Sequence, residues 1–119
     1  MALPLTFDSS VITVQDLKSK PYVEMTLNTL KKFGITVKNE NFERFTIPGN
    51  QEYKPCDYAV EGDWSSASYW LVASALGKNV HVTGLSMLSL QADKKILEAF
   101  MKAGCSVMNS QEGLSLIHI

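Results

Sequence analysis

The octapeptide Lys32-Phe33-Gly34-Ile35-Thr36-Val37-Lys38-Asn39 returns 70 residues later as Lys102-Ala103-Gly104-Cys105-Ser106-Val107-Met108-Asn109. In both copies a helical pattern ends at a Lys and a Gly, and a strand-like run follows. Glycine just past a helix supplies the left-handed backbone that closes it. The run Val11 to Val14 likewise stands 69 to 70 residues ahead of Val80 to Thr83. Each half therefore reads strand–helix–strand–strand. The second half carries an additional strand and helix in front, from Tyr58 to Leu76. The chain reads as one whole β-α-β-α-β-β unit preceded by the last four elements of another. A repeat that starts mid-unit is expected in a piece of a longer chain.

The fold class that follows is α/β (α+β), with helices packed on mixed sheets. The first strand is expected within Phe7–Val14, centred on Val11–Val14. Ser19 is expected to cap a helix from Lys20 to Phe33, with Pro21 in its first turn. Val23, Leu27 and Leu30 share one face of that helix. Strands at Ile35–Lys38 and Phe42–Ile47 follow, joined by a turn at Asn39-Glu40-Asn41. Pro48-Gly49-Asn50-Gln51 begins a surface loop. Tyr58–Val60 reads as a short strand. Asp63 caps a helix from Trp64 to Leu76, ended by Gly77. Val80–Thr83 reads as a strand, and Asp93 begins a third helix that ends at Gly104 and buries Ile96, Leu97 and Phe100. A strand at Cys105–Met108, a turn at Asn109–Gly113 and a strand from Leu114 complete the pattern. Residues 114–119 stop abruptly, and part of them is read as non-native.

With 119 residues, 45% of them apolar, there is enough for a core. A net charge of −1 gives no broad basic footprint for nucleic acid and no polybasic membrane signal. No apolar stretch approaches a membrane span, and MALPLTFDSS lacks the layout of a signal peptide. Cys56 and Cys105 have no metal-like spacing and read as reduced thiols in a cytoplasmic protein. His81 and His118 have no spaced partner, so neither a metal site nor a cofactor is expected.

The motifs carry alternatives. At Ser19-Lys20-Pro21-Tyr22 a helix start brings together a hydroxyl, a Lys charge and backbone N–H groups, which is what a phosphate or carboxylate needs. Tyr22 could stack beside a bound ring or hydrogen-bond to its hydroxyl. The same string is also an ordinary N-cap with a surface Lys and a packed Tyr. Glu61-Gly62-Asp63 is either a carboxylate pair for acid–base work or a structural junction. In the second case Asp63 caps the next helix and Gly62 takes an unusual backbone angle. Ser65, Ser66 and Ser68 have no partnered base in the sequence. Trp64, Tyr69 and Trp70 read as core or rim rather than as a binding stack. Gln91-Ala92-Asp93 reads as a helix entry.

From about Leu5 to about Gly113 the chain closely resembles the EPSP synthase family. Ser19-Lys20-Pro21-Tyr22 and its following Met-Thr-Leu helix carry the resemblance. So do Val60-Glu61-Gly62-Asp63 with Ser65-Ser66-Ala67-Ser68-Tyr69, and Ser89-Leu90-Gln91-Ala92-Asp93. Ala92 stands where the family usually has Gly, and Trp64 where many members have Ala. The resemblance implies repeated β-α-β-α-β-β units of the enolpyruvyl transferase fold, one complete and one truncated. It implies that residues 1–60 end one domain and residues 61–119 begin the other, with a hinge near Glu61-Gly62-Asp63. It implies transfer of the enolpyruvyl group of phosphoenolpyruvate to the 5-hydroxyl of shikimate 3-phosphate, through a tetrahedral intermediate and without a metal. Ser19 and Tyr22 would line the shikimate 3-phosphate site, with Lys20 in a weaker role. The family's acid–base and phosphoenolpyruvate-binding residues match nothing in this chain, so the chain alone is expected to be inactive. The full-length member would be a monomer.

Two other readings are weighed. UDP-N-acetylglucosamine enolpyruvyl transferases share the fold and donor, but the Ser-Lys-Pro-Tyr and Ser-Ser-Ala-Ser-Tyr strings favour the shikimate branch. A non-catalytic α/β module is also considered, since small units of this topology bind RNA. The chain lacks a basic face with interleaved aromatics.

Overall fold

A computed structural model describes residues 1–110 and 113–118. The centre of the turn expected at Asn109–Gly113, residues 111 and 112, lies outside the described residues, as does Ile119. The described residues form a mixed α/β protein with three α-helices and two small sheets. The chain divides into two compact units, Met1–Tyr58 and Ala59–Ile119. Among the described residues no helix is long and apolar enough to cross a membrane.

In the first unit, β1 (Ser10–Thr13), β2 (Lys38–Glu40) and β3 (Arg44–Ile47) form an antiparallel sheet in the order β1-β3-β2. Ser10 lies opposite Ile47 and Thr13 opposite Arg44, while Lys38 lies opposite Thr46. The helix α1 spans Lys20–Lys32. Leu30 of α1 is buried, as are Ile35, Phe45 and Ile47. The helix closes as its sequence requires. Gly34 takes φ 80°, its N–H donates to the Lys31 carbonyl at 3.1 Å, and the Ile35 N–H donates to the Leu30 carbonyl at 2.9 Å. That pair of bonds is the Schellman closure, and it needs a left-handed residue at Gly34.

The strand expected at Ile35–Lys38 begins only at Lys38. The helix closure sends Ile35 straight into the core, at 3% exposure. The backbone of Thr36 is then claimed by a side chain. Its N–H donates to Gln51 Oε1 at 2.7 Å, and its carbonyl accepts from Gln51 Nε2 at 3.0 Å. The hairpin turn also sits two residues later than expected. Asn41 and Phe42 take φ 52° and 59°, the Glu43 N–H donates to the Glu40 carbonyl at 3.0 Å, and Asn39 Oδ1 accepts from the Phe42 N–H at 2.8 Å. Asn39 thus shapes the turn from inside the strand, through its side chain. The first strand is shorter than Phe7–Val14, and Phe7 is exposed.

In the second unit, α2 (Trp64–Ala75) packs on the hairpin of β4 (Cys105–Ser110) and β5 (Gly113–His118). The core joins Trp64, Leu71, Leu97, Leu114 and Leu116, with Ile96, Phe100 and Val107 packed against it. The third helix opens as a 3-10 turn at Ala92–Lys95 and becomes α-helical only over α3, Ile96–Lys102. A 3-10 turn at a helix start is common.

The strand expected at Val80–Thr83 reduces to one bridge, Val82 opposite Leu114. The Ser74 hydroxyl explains the loss. It lies 3.2 Å from the Val80 carbonyl and 3.1 Å from the Leu116 carbonyl, and accepts from the Leu116 N–H at 3.0 Å. Continuing the bridge register would pair Val80 with Leu116, and the buried hydroxyl stands between those backbones. Tyr58–Val60 is irregular rather than a strand. A strand needs a neighbour's backbone groups, and among the described residues none pairs with it.

Candidate functional site

The first candidate site is the start of α1. Ser19 holds the N-cap position with φ −100° and ψ 46°, but its side chain makes no capping hydrogen bond. The expectation that its hydroxyl caps the helix is therefore corrected. The Ser19 carbonyl does the closing instead, accepting from the N–H groups of Tyr22 and Val23, each at 3.2 Å. Pro21, in the first turn, has no N–H to offer. The expected cluster of helix-end amides thus shrinks to the N–H of Lys20. The donors a ligand could meet here are that N–H, the Ser19 hydroxyl and the Lys20 ammonium. All three are exposed, and the Lys20 ammonium lies 6.0 Å from the centre of the Phe42 ring. Tyr22 is also partly open, at 43% exposure.

The second cluster is the junction Glu61-Gly62-Asp63, and here the fold joins strings that lie far apart in sequence. Asp63 caps α2, with Oδ1 accepting from the Ser65 N–H at 3.0 Å and Oδ2 from the Ser66 N–H at 3.1 Å. The Ser66 hydroxyl adds a bond of 2.5 Å to Oδ2. These bonds, the Ser66 hydroxyl foremost, hold the Asp63 carboxyl below the usual carboxylate range. Glu61 turns elsewhere, accepting from the Ser89 hydroxyl at 2.9 Å and Gln91 Nε2 at 3.1 Å. The two carboxylates therefore serve separate structural partners and do not act as a pair.

Gln91 is the centre of this junction. It is 9% exposed. Its Nε2 also donates to the Gly62 carbonyl at 2.8 Å, and its Oε1 accepts from the Trp64 N–H at 2.8 Å. Ser89 Oγ accepts from the Gln91 N–H at 3.1 Å. Gly62 has no room for a side chain, since a Cβ would lie 2.7 Å from the Gly84 carbonyl oxygen. Ser65 reaches across to Asp93 Oδ2 at 2.8 Å. From the sequence Gln91 reads only as part of a helix entry. The signal available was the pairing of two polar strings in one resemblance, but no spacing rule brings residues 61 and 91 together.

The serines are structurally committed: Ser65 to Asp93, Ser66 to Asp63, and Ser68 to the Ser65 carbonyl at 2.6 Å. Among the described residues no group of three or more His, Cys, Asp or Glu is placed to hold a metal ion.

The Asp63 cap sets a pH dependence. Its carboxyl is held low in the folded state, so the cap is complete above the unfolded carboxyl's pKa, about 3.9. It is lost as pH falls through the lower folded value. The protection of the Ser65 and Ser66 amides, relative to their intrinsic exchange rates at each pH, is expected to fall in that acid window and to be flat from pH 5 to 7. Asp63→Asn keeps a capping oxygen and should abolish the acid step. An unchanged step in that variant would assign it to another carboxyl.

The family model for EPSP synthase (3-phosphoshikimate 1-carboxyvinyltransferase) matches residues 1–118. A 3-phosphoshikimate 1-carboxyvinyltransferase of Clostridium perfringens strain 13 is 44% identical over 112 residues, covering 93% of this chain and 26% of that protein. The protein of the same name from Pseudoalteromonas atlantica is 48% identical over 110 residues, covering 90% of this chain and 26% of that protein. That from Clostridium beijerinckii is 39% identical over 107 residues, covering 90% and 25%. The chain thus spans about a quarter of the length of the curated relatives it matches. A family match that runs through both units, together with these identities, shows that the chain belongs to the EPSP synthase family.

Proposed function

We propose that this chain is part of an enzyme that transfers the enolpyruvyl group of phosphoenolpyruvate to the 5-hydroxyl of shikimate 3-phosphate, releasing phosphate. The curated relatives are named for that reaction, which favours it over UDP-N-acetylglucosamine enolpyruvyl transfer and over a non-catalytic module. Ser19 and Tyr22 line the site for shikimate 3-phosphate, with Lys20 adding charge. The observation that carries this assignment is the Ser19 hydroxyl, which stands at the head of a 13-residue helix and is not spent on capping it. Helix starts favour anions.

In this reading residues 1–60 close one domain and residues 61–119 open the other. The break between compact units after Tyr58 supports it. Repeated β-α-β-α-β-β units, one complete and one truncated, belong to the same reading, and matching sheet orders support the repeat of the elements that the two units share. β1 pairs with β3 in the first unit, and Val82 pairs with Leu114 of β5 in the second. Glu61, Gly62 and Asp63 are junction residues rather than catalytic ones. The working enzyme is a cytoplasmic monomer without a cofactor.

Ser19→Ala is the test. Losing one hydrogen bond to a charged group costs about 1.5–3 kcal/mol. In the full-length protein, shikimate 3-phosphate should therefore bind roughly 10- to 150-fold more weakly by calorimetry, and phosphoenolpyruvate nearly as before. Because the hydroxyl makes no capping bond, the melting temperature should hold. Equal affinities with an intact fold would remove Ser19 from the site.

A further inference from the structure

Phe42 sits where its side chain is a liability. It is the second of the left-handed residues between β2 and β3, with φ 59° after 52° at Asn41. A bulky residue at positive φ is strained, and turns with positive φ at both central positions favour Gly at the second. The conformation is held from outside by the Asn39 carboxamide, by the Glu43–Glu40 bond and by the pairing of β2 with β3. The core does not fully account for the ring. Phe42 is only half-buried, edge-on to Phe45 with centroids 6.3 Å apart and planes at 75°.

The Lys20 ammonium also lies near the ring, 6.0 Å from its centre. A cation over an aromatic ring within about 6 Å is attracted by the ring's quadrupole. The Lys stem is flexible, and ordering it when a ligand binds costs affinity. A ring that limits the ammonium to one place removes part of that cost beforehand.

We propose that Phe42 is a positioning residue for the anion site at the start of α1: its ring holds the Lys20 ammonium in place before a substrate phosphate arrives. The proposal rests on the assignment of Ser19, Lys20 and Tyr22 to the shikimate 3-phosphate site. It gives the strained aromatic a role that packing against Phe45 does not. It also sets stability against binding at one residue. Glycine would relieve the turn, and it would release Lys20.

The experiment is a double-mutant cycle on shikimate 3-phosphate affinity, measured by calorimetry in the full-length protein. Phe42→Leu keeps an apolar side chain and removes the ring face. It should weaken binding about two- to five-fold, the size of an exposed cation–π contact. Phe42→Tyr should restore wild-type affinity. Phe42→Gly should raise the melting temperature and still bind as weakly as the Leu variant. In a Lys20→Ala background, Phe42→Leu should cost nothing further. Wild-type affinity for Phe42→Leu, with Lys20→Ala impaired, would overturn the positioning role and leave the site assignment standing. The same loss with and without Lys20 would also overturn it, since the ring would then act through the fold. Unchanged affinity in both Ser19→Ala and Lys20→Ala would remove the site assignment and the positioning role together.

Discussion

Cutting Trp64 back to Ala should lower the unfolding free energy by about 3–5 kcal/mol, the range for removing a large buried aromatic. Trp64 is fully buried, at 0% exposure, and stands at the centre of the second unit's core with Leu71, Leu97, Leu114 and Leu116. Its indole N–H also donates to the Ser86 carbonyl at 3.2 Å, so the variant loses apolar burial and one hydrogen bond, while the carbonyl keeps the Ser89 N–H at 3.1 Å. A domain is typically stable by only about 5–15 kcal/mol, so this is a large share. Urea unfolding of the two proteins measures it. Tyr69→Ala, on the same helix at 79% exposure, is the matched control and should stay within about 0.5 kcal/mol. A Trp64→Ala loss no larger than that of Tyr69→Ala would mean that α2 does not pack as described.

Replacing Gln91 by Met, similar in length but apolar, should cost about 2–6 kcal/mol. Two partners, one buried and one partly buried, are left unpaired, at about 1–3 kcal/mol each. These are the Trp64 N–H, which donates to Oε1, and the Gly62 carbonyl, which accepts from Nε2. The Glu61 carboxylate also loses a donor. The loss should show at the start of α2 first, as faster amide exchange at Trp64 than at Leu71. Gln91→Glu keeps the acceptor for Trp64 and sets a second carboxylate against Glu61. It should therefore be destabilised at neutral pH and recover part of its stability in acid. Uniform exchange along α2 in Gln91→Met would contradict a role for Gln91 in fixing the helix start.

These residues show where sequence reasoning reaches and where it stops. Trp64, Tyr69 and Trp70 look alike on paper, as aromatics in one helix. The fold buries the first and leaves the others 79% and 62% exposed. Helical periodicity names a face, but the strands that cover that face come from residues 105–118, and no local pattern tells how far their cover extends. Gln91 is similar: its neighbours in sequence mark a helix entry, and its work is on residues 61–64.

Local chemistry was legible in the sequence. Helix α1 runs as its Pro21 start and Gly34 stop require, and α2 is capped by Asp63 as an Asp before a helical run predicts. These features depend on backbone angles and hydrogen bonds within a few residues, which neighbouring side chains supply. What needed the tertiary structure was every decision made by a distant partner. Ile35–Val37 has strand composition, yet Gln51 takes the Thr36 backbone. Val80–Thr83 has it too, yet Ser74 stands in the ladder. A backbone group takes the partner that folding brings within about 3 Å, and for these residues that partner lies far along the chain or was open to competition from a side chain.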